Sequence, residues 1–170
     1  VPWFHVLSVE APHHGRDDKG VDRIEVGERS HTRHPAPPEY EARFRPEDMK
    51  LRKNVPEEAH EAARSQQAQY CAMIANLDDN VGRILSWLDE SGETANTLVC
   101  FFSDHGEMGG SHGRFQKGNA YDESIRIPMI MRLPDRLPSG LRVGHPANLV
   151  DLLPTCATLC GLPVPADVQG

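Results

Sequence analysis

The sequence predicts an α/β fold: a mainly parallel sheet flanked by helices, present here as a partial domain. Three observations predict it. A long stripe of apolar residues at helical spacing lies between two strand-like runs. The second run is continuously apolar and ends abruptly on an acid and an imidazole. The elements then follow in the order strand, helix, strand, strand, helix, which favours layered α/β packing.

The first element is a strand from Trp3 to Val9, stopped at Ala11-Pro12-His13-His14-Gly15 by proline and glycine. The run Val1 to Ser8 has no initiator Met, no charged leader and no small-residue cleavage site, so we expect a fragment that lacks its start. Localisation is therefore open. Residues 16–55 are charged, proline-rich and without apolar periodicity, and we expect a long variable loop inside a single partial domain spanning 1–170. Pro56-Glu57-Glu58 suits a helix start, because proline fits the first helical position and acids face the positive end of the dipole. Tyr70, Met73, Ile74, Leu77, Val81, Ile84, Leu85 and Leu88 supply the helical stripe and Gly92 its stop, with a break before Gln66 left open. Leu98 to Phe102 reads as a strand covered on both faces. A second short strand is expected from Pro128 to Leu133, and a short helix from Asp151 or Pro154 to Gly161.

Composition excludes some functions. The 170 residues hold 18 Lys plus Arg against 25 Asp plus Glu, a net charge of −7. That leaves no basic surplus for a phosphate backbone, so nucleic acid is not the expected partner. No apolar window approaches the length of a membrane-spanning helix. The four cysteines, Cys71, Cys100, Cys156 and Cys160, lack CxxC spacing and are expected as buried reduced thiols. Cys156 and Cys160 are four residues apart, a spacing poor for a disulfide within one helix.

The chemistry-bearing residues concentrate after the second strand. Asp104 and His105 stand at its C-terminal edge, where open α/β sheets place their ligands. A carboxylate beside an imidazole fits a divalent cation, with Gly106 allowing the sharp turn that both ligands need. The alternative is that Asp104 caps a turn and His105 is solvated. Lys117 follows in a loop with Glu107, His112 and Arg114, and it is either solvated or neutralises charge building on an ester oxygen.

The ordered stretch Ser103-Asp104-His105-Gly106-Glu107-Met108-Gly109-Gly110-Ser111-His112-Gly113, then Lys117, then Tyr121 to Pro128, resembles the sulfatase family of the alkaline-phosphatase-like superfamily. Leu7-Ser8 with Ala11-Pro12-His13, Leu77 to Arg83, and Val150 to Thr155 with Gly161-Leu162-Pro163 agree in order and spacing. The resemblance implies the second half of the sulfatase catalytic domain, acting on a sulfuric ester of a small molecule or saccharide. Asp104 and His105 match two metal ligands, His13 the histidine near the leaving-group oxygen, and Lys117 the lysine on the sulfate and ester oxygen. His13 and Lys117 are thus the expected catalytic and substrate-binding residues. His112 is a weaker substrate-binding candidate, with a loop hydrogen bond as its alternative.

Asp78-Asp79 imitates the family's acidic pair but sits inside the helix, where a structural or solvated role is expected. Glu123 and Arg126 are expected to hold the loop by ion pairing rather than take part in the reaction. The resemblance also implies a calcium ion, with Mg2+ or Mn2+ as alternatives, and a formylglycine nucleophile. No cysteine here begins the Cys/Ser-x-Pro/Ala-x-Arg motif, so that residue is expected outside this chain, and the isolated chain is expected to be inactive and to bind metal weakly. The rival readings are a phosphonate monoester or phosphodiester hydrolase of the same superfamily, and a non-catalytic remnant serving as a binding module.

Overall fold

The computed structural model describes residues 36–170, so the expected strand Trp3 to Val9 and His13 lie outside the described residues. These residues fall into two units, 36–84 with 106–125, and 85–105 with 126–170.

In the first unit, the described end of the 16–55 stretch is packed. Pro38–Glu41 forms a one-turn helix, α1, with proline at its start. Ala36 is buried with Ala72 and Met73, and Tyr40, Phe44 and Tyr70 pack on them. Val55 is buried with Ala59 and Ala63 against Leu51 and Phe115. Within 36–55 these apolar residues come singly between charged, amide or proline residues, which is why no periodicity announces them.

Glu57–Ala59 makes a 3-10 turn that leads into α2, His60–Ser91, unbroken at Gln66. The predicted stripe is buried at Met73 and Leu88 and half-buried at Tyr70, Leu77, Val81 and Leu85, and alanines extend the buried surface beyond it. Ala63, Ala68 and Ala72 are buried with Met73 and Leu88, while Ile74 and Ile84 are 42% and 43% exposed. Alanine lets other backbone come close: a Cβ added at Gly110, whose φ is +89°, would stand 2.6 Å from that of Ala63. A third short helix, α3, covers Asp122–Ile125.

In the second unit, Gly92 ends α2 in a left-handed conformation, with φ 75°. Strand β1, Val99–Phe102, pairs with β2, Met129–Arg132, setting Val99 opposite Arg132 and Phe102 opposite Met129. This pair is antiparallel. A mainly parallel sheet can carry such a neighbour, so the local pairing departs from the sequence reading without changing the fold class.

The expected double covering of β1 is not seen among the described residues, because Phe101 is 37% and Ile130 62% exposed. Cys100 instead meets α4, Leu152–Leu159, through Cys156. The Asp151 carboxylate accepts from the Asn148 N–H at 2.6 Å ahead of α4, and the Leu162 N–H returns to the Ala157 carbonyl after it. An ion pair of 3.6 Å between Arg132 and Asp89 ties β2 to the end of α2. The cysteines are free, but Cys160 is exposed and the other three are half-buried, so the expected full burial is corrected. No described helix is long and apolar enough to cross a membrane.

Candidate active site

Asp104 and His105 follow β1 directly. The Ser103 hydroxyl donates to the His105 carbonyl at 2.8 Å, and the His105 N–H donates to Asp104 Oδ1 at 3.0 Å, so the chain curls as it leaves the strand. His105 Nε2 comes to 3.6 Å from Asp104 Oδ2, with the Asp104 side chain 81% exposed. One oxygen and one nitrogen donor thus meet at one strand end, which fits part of a divalent cation's shell. No cluster of three or more His, Cys, Asp or Glu side chains suited to a metal occurs among the described residues.

Gly106 serves the turn by another route than expected. Its φ is not among the positive values; rather, a Cβ there would lie 2.1 Å from the Glu123 carbonyl oxygen. The Gly106 N–H donates to the Ser124 carbonyl at 2.8 Å, so only glycine fits against α3.

Lys117 belongs to the first unit and lies just beyond a closed loop. Glu107 Oε1 accepts from the Gly109 and Gln116 N–H groups at 3.1 and 2.6 Å, and the Met108 N–H donates to the Gln116 carbonyl at 2.9 Å. Arg52 braces the same loop, donating to the Met108 carbonyl at 3.0 Å and the Ser111 hydroxyl at 3.2 Å. Met108 and Ser111 are fully buried under it. Lys117 therefore leaves a fixed base and is itself exposed, flanked by Gln116 and Gly118 at φ 66° and 91°. Sequence reading missed Arg52 and the bracing role of Glu107. An acid among glycines was the only signal available for the second, and nothing marked the first.

His112 is held at several points. Its N–H donates to the Asn54 carbonyl at 2.8 Å, its Nε2 is 3.1 Å from Asn54 Nδ2, and its ring stacks on Tyr121 at 4.3 Å. Asn54 Nδ2 also donates to Glu123 Oε1 at 2.7 Å. An amide nitrogen only donates, so Nε2 accepts and the neutral ring's proton sits on Nδ1. The Asn54 hydrogen bond, with smaller help from the Glu123 backbone N–H, Ser111 and His112, holds the Glu123 carboxyl below the usual carboxylate range. Glu123 thus holds the loop through a hydrogen bond from the neutral Asn54 amide, a different contact from the ion pairing expected. Asp79 accepts from the Tyr40 hydroxyl at 2.8 Å, the structural one of the two roles expected of it.

A model of the family described as Sulfatase matches residues 1–162. An ulvan-active sulfatase of Formosa agariphila is 32% identical over 175 residues, covering 99% of this chain and 30% of that protein. BT4656, solved in complex with its substrate D-glucosamine-2-N,6-O-disulfate, is 32% identical with a TM-score of 0.63, covering 69% of this chain and 24% of that one. The phosphonate monoester hydrolase SpPMH from Silicibacter pomeroyi is 29% identical with a TM-score of 0.58, covering 77% of this chain and 26% of that one. The chain spans under a third of the length of each.

Proposed function

The chain belongs to the sulfatase family, and from that premise we propose that it supplies part of the active site of a sulfuric ester hydrolase acting on a sulfated saccharide or another small sulfate ester. The observation that carries the reading is the Asp104 and His105 pair at the C-terminal end of β1 in a chain of this family. The saccharide preference is supported by the ulvan-active relative and the glucosamine disulfate bound by BT4656.

In this reading Asp104 and His105 give two ligands to a divalent cation, calcium by preference over Mg2+ or Mn2+, and the other ligands come from elsewhere in the protein. A bound cation would polarise the sulfate oxygens, and a formylglycine outside these residues would supply the nucleophile. Lys117 binds the sulfate and neutralises charge developing on the ester oxygen as the S–O bond breaks. His13 gives the departing alkoxide its proton. His112 serves as a fastener of the Lys117 loop through Asn54 and Tyr121, not as a substrate ligand. The charged stretch directly after His13 is positioned in sequence to tune substrate choice.

A second reading, phosphonate monoester or phosphodiester hydrolysis, is favoured by the likeness to SpPMH. Initial rates of the longer protein on a matched aryl sulfate and aryl phosphodiester separate the two. Faster sulfate hydrolysis supports the proposal, and faster phosphodiester hydrolysis overturns it.

A further inference from the structure

Cys100 on β1 and Cys156 on α4 bring their sulfurs to 3.8 Å, although 56 residues separate them in the chain. Neither has a role in the hydrolysis proposed above. We propose that Cys100 and Cys156 are a thiol pair that oxidises to a disulfide, cross-linking the strand that carries Asp104 and His105 to the helix covering it.

The geometry favours this pair over the other thiols. Cys156 and Cys160 lie along one helix end, a spacing that strains an intrahelical bridge. Cys100 and Cys156 face each other across a strand and a helix, and closing 3.8 Å to the roughly 2 Å of an S–S bond needs only a small shift of two side chains. Burial, with the facing Cys156 and the nearby Cys160, pushes the Cys100 thiol up to about 12.

With a small-molecule disulfide such as oxidised glutathione, the reaction is two exchanges. One thiolate of the pair first attacks the glutathione disulfide, forming a mixed disulfide and releasing one glutathione. The other thiol then attacks that protein sulfur as its proton is removed, and the second glutathione leaves. The two protein thiols lose two electrons and two protons, and glutathione disulfide gains them. An oxidising compartment would hold the pair closed and a reducing one open.

The test is incubation of the longer protein with oxidised glutathione, followed by alkylation and non-reducing tryptic mapping. Cys100 lies on peptide 84–114, while Cys156 and Cys160 share the peptide that begins at Val143. The proposal expects these two peptides linked, with the link kept in Cys160→Ser and lost in Cys156→Ser. It also expects the oxidised protein to melt several degrees above the reduced one. A link that survives Cys156→Ser, a glutathione adduct that stays on Cys160, or no oxidation at all overturns it. None of these readouts depends on activity, so failure here is distinguishable from failure of the hydrolase reading.

Discussion

Asn54 is the residue on which the loop's polar contacts converge, because its side-chain amide reaches both Glu123 and His112. Glu123 has its carboxyl lowered mainly by that donor. A lowered folded value means a contribution that is present above the unfolded value near ~4.3 and is lost as pH falls through the folded one. We expect an NMR titration of Glu123 to give a midpoint below that of a free glutamate, and Asn54→Ala to move it upward; an unmoved midpoint would contradict the assignment. Lys117 and Asp104 were singled out by the resemblance to the sulfatase motif, since by residue type alone a solvated lysine and a turn-capping aspartate stayed open. Arg52 and Asn54 were not, since a charged or amide residue in a polar stretch carries no sign of the distant loop it will hold.

At the level of elements, the loop between β1 and α3 is shaped by close approach. The space at Gly106 is filled by the Glu123 carbonyl, so Gly106→Ala must push α3 away. Overpacking of this kind costs about 1–3 kcal/mol, and we expect a fall in Tm of several degrees; an unchanged Tm would show that α3 is free to move. Arg52→Ala removes the donor to the Met108 carbonyl and the Ser111 hydroxyl, with an expected cost of about 1–2 kcal/mol read by denaturant unfolding. The sequence made α2, β1, β2 and α4 legible through periodicity and stop signals. It missed the buried alanines of α2, since alanines score weakly in any apolar stripe yet permit the closest packing. The antiparallel pairing of β1 with β2 was also hidden, because element order states no strand direction.

For the whole molecule, the described residues hold a strand edge with a carboxylate beside an imidazole and a braced loop that leads to a lysine, both within a chain of the sulfatase family. If Asp104 and His105 bind calcium in the longer protein, calcium at 100 times its dissociation constant adds ~2.7 kcal/mol of stability. Thermal melts should show that gain, and Asp104→Asn should reduce it. A gain untouched by the substitution would place the metal elsewhere. The central claim is that Lys117 acts on the departing ester oxygen, and kcat of the longer protein on an aryl sulfate, native against Lys117→Ala, tests it most directly. The account predicts a loss of about 10²–10³-fold with Tm unchanged. Activity within about twofold of native would contradict it.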